Sequence, residues 1–321
     1  MRRRIPVVLA IWVLALFCVT VFTATGFSAG YPTKPITLIV PWGAGGNADV
    51  QARLLVKMAN ALLPQPIVVK NRPGGGTIPG VTEALQAAPD GHTLIWIAIP
   101  SVATQPYLKK TPYTYKDLTP IVNVSQNSLL LYVRYDSPWY TLEQFLEHAR
   151  KNPVNISCNG IGALPHLAGA ELAQKSKAKM KFLPYESSAH AVVALLGGHM
   201  DAAVAHELQA FTHGDKLRAL AVFEPERVDS LKLVPTAKEQ GYDIVGYVRD
   251  GVAISSKAPK ECVQVLGETF KKSMESDEFK YEFLKKRIRS LHLNSEETLK
   301  LWISATESYS KIIKELGLGP K

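Results

Sequence analysis

Three short stretches of the chain set bare backbone against the start of a helix: WGAGGNAD at 42–49, PGGGTIPG at 73–80 and NGIGALPH at 159–166. Each follows strand-forming residues and precedes helical periodicity. A helix start presents unpaired N–H groups and the positive end of a dipole, and glycine lets an anion approach that backbone closely. The chemistry on offer is anion binding. WGAGGNAD lacks the lysine and hydroxyl of a GxxxxGK[ST] phosphate loop, and PGGGTIPG does not fit GxGxxG with a suitably placed acid, which argues against a nucleotide. A small carboxylate needs only two or three N–H groups. Any one of these turns is equally well read as a tight strand-to-helix connection, but three in one chain favour a ligand.

Other chemistries have less support. His190, His199, His206 and His213 lie near Glu186, Asp201 and Glu207 in sequence, without an HExxH or close His/His/carboxylate spacing. No GxSxG elbow occurs, and sequence identifies no histidine partner for Cys158. An exported enzyme is therefore the weaker reading. Three cysteines are too few for a disulfide framework; Cys18 falls in the leader, and Cys158 and Cys262 are expected to be buried free thiols. The formal charge is +9; removing the three leader arginines from 37 basic residues leaves 34 against 28 acidic, or +6. The run Lys285, Lys286, Arg287, Arg289 reads as a solvated helix face, and no nucleic-acid partner is expected.

The elements that must position the turns follow from hydrophobic patterning. Residues 1–29 carry Arg2 to Arg4, an apolar stretch and then small residues, the pattern of a secretory signal peptide, with an uncleaved anchor as the alternative. ITLIV reads as a buried strand, followed by a helix with Val50, Leu54, Met58 and Leu62 at every fourth position. A second strand, the glycine-rich turn, a helix and the strand TLIWIAI complete an α/β unit with helices covering a parallel sheet. The rhythm repeats from about residue 128: strand LLLYV, a helix opened by a Thr141/Gln144 capping box, strand NISCNG, a helix from about Pro165, strand KFLPY, a helix and strand LRALAVF. Strand VAIS and two helices end the chain. Periodicity leaves open whether the two units stand in series or one is inserted in the other.

The ordered series YPTKPITLIVPWGAGGNADVQARLL, VVKNRPGGGT, AAPDGHTL, PYTYKDLTPI, HLAGAEL, LLGGHMDAAVA, KLRALAVF and VPTAKEQGY resembles the tripartite tricarboxylate transporter substrate-binding proteins, or Bug family. The resemblance runs from about Tyr31 almost to the end. It implies a two-lobed type II periplasmic binding-protein fold of class α/β, with a ligand cleft between two Rossmann-like domains: 30–127 plus 252–321, and an inserted 128–251. It implies a non-catalytic, monomeric, periplasmic receptor without cofactor or metal, which closes over a small organic carboxylate and hands it to a membrane permease of one large and one small subunit. A sensor module for a membrane kinase is the alternative.

By matching position, the resemblance assigns Trp42, Ala44, Gly45, Gly46, Asn47 and Asp49 to one half of the ligand site and Asn159, Gly160, Ile161, Gly162, Ala163 and His166 to the other. Gly45 and Gly46 are expected to offer N–H donors, Trp42 to wall the cleft, and Asp49 to brace the turn rather than touch an anion. Gly75, Ser101, Tyr185, Glu186 and His206 complete the expected set. The chain departs from the family where small hydroxyl residues give way to Ala163, Leu164 and Pro165, where PYKGS becomes PYESS with Glu186 in place of lysine, where Ala98, Ile99 and Pro100 end a strand, and at His206. These departures point to a monocarboxylate with an apolar or aromatic body, or to a ligand with an amino or amide group for Glu186.

Overall fold

The computed structural model describes residues 30–185, 187–244 and 246–320; the leader at 1–29 and Glu186 lie outside these residues. The β-branched run ITLIV forms β1 (Ile36–Val40), flanked in parallel by β2 (Ile67–Asn71) and β3 (Thr93–Ala98). The crossovers are α1 (Asn47–Asn60) and α2 (Ile78–Gln86). α1 buries Gln51, Ala52, Leu55, Val56 and Ala59, one position round from the expected stripe, and Leu62 is exposed. The small Ala52 and Ala59 lie on the buried side, so the Val50/Leu54/Met58 row falls at its edge.

After the short helices α3 (Ile99–Ala103) and α4 (Gln105–Leu108) comes β4 (Leu118–Arg134), a 17-residue strand where patterning foresaw only LLLYV. Its first part, IVNVSQNS, mixes polar residues into a buried strand because those side chains find partners. Asn123 Nδ2 donates to the Leu291 carbonyl at 2.7 Å, and the hydroxyls of Ser125 and Ser128 bond Gln51 and Glu224. The strand belongs to both halves of a ten-stranded sheet.

In the second half come α5 (Leu142–Lys151), β5 (Val154–Asn159), α6 (Leu164–Ser176), β6 (Met180–Tyr185), α7 (Ser188–Leu196), β7 (Ala202–His206), α8 (Leu208–Thr212) and β8 (Leu217–Val222). β5 is parallel to β6 and β7, while β7 and β8 flank the end of β4 antiparallel. At α5, Thr141 accepts from the Gln144 N–H as expected, but Gln144 Oε1 accepts from the Tyr140 N–H, so the box closes one residue upstream.

The chain returns through β9 (Tyr247–Ser255), antiparallel to both β3 and β4, then α9 (Lys260–Glu275), α10 (Asp277–Lys285), β10 (Arg289–Leu293) and α11 (Ser295–Glu315). Leu266, Phe270, Phe279 and Phe283 from α9 and α10 share a core with Leu55 and Val56 of α1. Trp302 and Tyr309 of α11 join a second core with Phe145 and Leu167, and α7 seals a third against Leu130 and Tyr132. Cys158 and Cys262 are free and buried. The basic run is no helix face: α10 stops at Lys285, Arg287 takes a left-handed φ of 54°, and Arg289 opens β10.

Candidate functional site

The loop after β1 turns at Gly45, whose φ of 77° favours glycine, and Gly46 caps α1 with no side-chain hydrogen bond. Its geometry changes the donor assignment. The Gly45 N–H donates to Asp49 Oδ2 at 2.9 Å, and the Gly46 N–H to the Gly43 carbonyl at 3.2 Å. Both expected donors are therefore spent inside the turn, and the uncapped start of α1 at Asn47 and Ala48, which lines the cavity, supplies donors instead. Asp49 is buried and also accepts from Arg53 Nε and, at 2.8 Å, from Asn71 Nδ2. Burial would raise this carboxyl, but the bonds from Arg53, Gly45 and Asn71 together hold it below its ordinary value.

The turn after β5 repeats this device. Gly160 and Gly162 have φ of 75° and 79°, Ala163 caps α6 without a side-chain bond, and the Gly162 N–H donates to His166 Nδ1 at 3.1 Å. His166 packs edge-on against Phe182, and burial lowers its pKa, so the ring is neutral with its proton on Nε2. Pro165 removes one N–H from the first turn of α6. A Cβ on Gly162 would stand 3.0 Å from both methyls of Leu108, so this turn rests directly on α4. In the third turn Gly76, at φ 70°, reaches the cavity rather than Gly75.

These turns converge on a cavity of about 600 Å³. Of the residues assigned to the site, Trp42, Gly46, Asn47, Ser101, Asn159, Gly162, Ala163 and His206 line this cavity; Ala44, Gly45, Asp49, Gly75, Gly160, Ile161, His166 and Tyr185 do not. Asp49 and His166 are held back as braces, and Ile161 is exposed. Around the wall, Ser101 Oγ, Asn159 Oδ1, Ser188 Oγ, His206 Nδ1 and Gln209 Oε1 are buried with no hydrogen-bond partner among the described residues. Burial pushes His206 down to about 4, leaving it neutral. Trp42, Ala98, Pro100, Leu164, Val248 and Ile288 make the remaining wall apolar.

Besides Thr77, Thr104, Gln105, Ser188 and Gln209, sequence reasoning missed three charged lining residues and Asn127. Lys286 and Arg287 reach the cavity from the turn between α10 and β10, while Asn127 and Asp250 come from β4 and β9. The interruption of an amphipathic helix by KKRIR was the available signal for the first two. Burial raises Asp250 to about 7, against the opposing effects of Ser125 and Arg249. Across the same junction, Arg287 donates to the Phe211 carbonyl at 3.3 Å, and Arg289 donates to Glu207 at 2.9 Å and Ser128 at 3.1 Å. Among the described residues no three His, Cys, Asp or Glu side chains gather to hold a metal ion.

Residues 51–318 match the family described as the tripartite tricarboxylate transporter family receptor. The chain belongs to that family. A UPF0065 protein of Cupriavidus necator is 32% identical over 292 residues, covering 90% of this chain and 89% of its own. A TctC solute-binding protein from Polaromonas superposes with a TM-score of 0.84 at 29% identity, covering 89% of this chain and 99% of that one. An R. palustris protein solved with adipate shares the fold, with a TM-score of 0.73 at 22% identity over 91% of this chain and all of that one. The α/β architecture of this receptor is thus that of a two-lobed periplasmic binding protein, and its family is one of solute-binding receptors, not enzymes. No helix among the described residues is long and apolar enough to cross a membrane.

Proposed function

We propose that the chain is a periplasmic receptor that captures a small carboxylate in the cleft and delivers it to a tripartite tricarboxylate-type permease of a large and a small membrane subunit. The lobes are 30–127 plus 252–321, and 128–251. The observation that carries the reading is the convergence of two uncapped helix starts, one from each lobe, on one cavity ringed by unpartnered polar atoms. Native interiors leave few such atoms, so a bound solute and its waters are their natural partners. Backbone N–H groups at Asn47, Ala48 and Leu164 receive the carboxylate, and the apolar wall accepts a hydrocarbon body. The adipate held by the R. palustris protein is a solute of this kind.

Closure brings α1 and α6 onto the same anion, with β4 and β9 as the crossing strands and Arg287 and Arg289 fastening the lobes on the near side. The experiment is a thermal-shift screen of the protein without residues 1–29 against mono-, di- and tricarboxylates, aromatic acids, amino acids and phosphate. A carboxylate at a hundred times its Kd stabilises by about 2.7 kcal/mol, a rise in Tm of roughly 5–10 °C. Absence of a rise with every carboxylate, or a rise with nucleotides alone, overturns the reading.

A further inference from the structure

A cleft built for an anion has an acid in it. Asp250 sits on β9 between Ala98 of β3 and Ser125 of β4, in the middle of the sheet, and lines the cavity. Side chains alternate along a strand, so its neighbour Arg249 points to the opposite face. There Arg249 forks onto Glu224 at 2.9 and 3.3 Å, stacks on Tyr247 at 3.8 Å, and lines a separate cavity. The nearest guanidinium is thus committed elsewhere. Asp250 forms no ion pair with any described residue, Lys286 and Arg287 of the cavity wall included.

Its one polar side-chain contact among the described residues is Ser125 Oγ, 3.3 Å from Oδ2. That hydroxyl has a single hydrogen, and Gln51 Oε1 on α1 lies much closer to it. Gln51 competes for that hydrogen at the shorter distance, so among the described residues Asp250 has at most one long donor, Ser125. A buried carboxylate in that state is costly, which is why burial holds its carboxyl near 7. A donor arriving through the cavity removes the cost; a second carboxylate adds to it.

We propose that Asp250 receives a hydrogen-bond-donating nitrogen of the solute, so that the preferred ligand is a carboxylate bearing an amine or amide rather than a dicarboxylate. This rests on the receptor reading above: the helix starts take the carboxylate, and Asp250 selects what the rest of the molecule carries. It makes Asp250 the specificity-determining residue of the cleft.

The test is calorimetric binding of matched four- to six-carbon series: the α,ω-dicarboxylate, its monoamide and the ω-amino acid of the same length. In the parent protein an amide or amine member binds at least about tenfold tighter than the dicarboxylate of equal length, as expected for one hydrogen bond to a charged group. Asp250→Asn, nearly isosteric, loses the preference for the amine and gains affinity for the dicarboxylate. A parent protein that prefers the dicarboxylate at every length overturns the proposal and leaves the receptor reading standing, and this measurement needs no variant. A preference kept unchanged in Asp250→Asn also overturns it. Failure of all three classes to bind the parent, together with silence across the wider carboxylate screen, brings down the receptor reading as well.

Discussion

Asp49 offers the sharpest perturbation of the binding apparatus because it lines nothing and braces everything at the first turn. Its carboxylate accepts from the Gly45 N–H at 2.9 Å, from Asn71 Nδ2 at 2.8 Å and from Arg53 Nε at 2.9 Å. Asp49→Ala removes the acceptor of the exposed Gly45 N–H, which rehydrates, and of one Asn71 N–H, whose amide keeps its bond to the Trp42 carbonyl at 3.1 Å, so each lost bond costs a net of about 0.5–1.5 kcal/mol. The Arg53 side chain is half exposed and rehydrates, so its share is small. The loss is then roughly 1–3 kcal/mol, a fall in Tm of about 2–6 °C. Asp49→Asn keeps one acceptor oxygen for Gly45 but sets an amide against the Asn71 amide, and should lose about half as much. Because the folded carboxyl lies below its ordinary 3.8, its stabilisation is present above that pH and lost as pH falls through the folded value. Parent and Asp49→Ala should therefore converge on acidification below about pH 4. In ligand titrations the Ala variant should bind at least tenfold more weakly, since the start of α1 no longer holds its place. Equal affinity in a variant with a lowered Tm would refute the claim that this brace sets the donor geometry.

Asp250 titrates near 7 in the folded chain against 3.8 ordinarily, so its contribution to stability is complete below about pH 4 and is lost as pH rises towards 7. Asp250→Asn should melt like the parent at pH 4 and above it at pH 8, by a few kcal/mol at most; parallel pH profiles contradict this. Gly162→Ala forces an L residue into φ 79° and a methyl against Leu108, costing about 1–3 kcal/mol. Leu108→Ala in that background should restore only the steric part, so the double-mutant cycle shows coupling; strict additivity of the two melting shifts rejects the contact. Arg289→Ala strands the buried Glu207 and should cost about 3 kcal/mol, most of it recovered on adding Glu207→Gln; an unaltered Tm in Arg289→Ala would show that the pair does not fasten the lobes.

The early strands and crossovers were legible because β-branched runs buried on both faces leave few alternatives, as at ITLIV. The long β4 was not, because NVSQNS is polar by composition and becomes strand only when Leu291, Gln51 and Glu224 supply partners from 74 to 168 residues away. The same holds for the site. Glycine spacing located the turns, yet it misassigned donors at Gly45 and Gly46, whose N–H groups the Asp49 carboxylate and the Gly43 carbonyl consume. Lys286, Arg287 and Asp250 enter the cavity through the return of the chain, a long-range event that for Asp250 has no local signature and for the first two shows only as the break of an amphipathic helix at KKRIR.

The two helix starts are braced by one device with different chemistry, and the difference has an electrostatic reason. In each, a glycine with left-handed φ donates its N–H to a side chain four residues on: Gly45 to Asp49, Gly162 to His166. An ionised brace beneath a helix start competes with the anion that the start is meant to attract. At α1 that competition is cancelled by Arg53, one turn beyond Asp49, which holds the carboxylate at 2.9 Å. At α6 the equivalent place is Ala170, which carries no charge, and the brace is a buried imidazole held neutral instead. Either way the brace contributes no net negative charge, and the positive end of each helix dipole stays available to the cavity. Among the described lining residues the one acid, Asp250, has no such partner, and there it discriminates among solutes rather than repelling all of them.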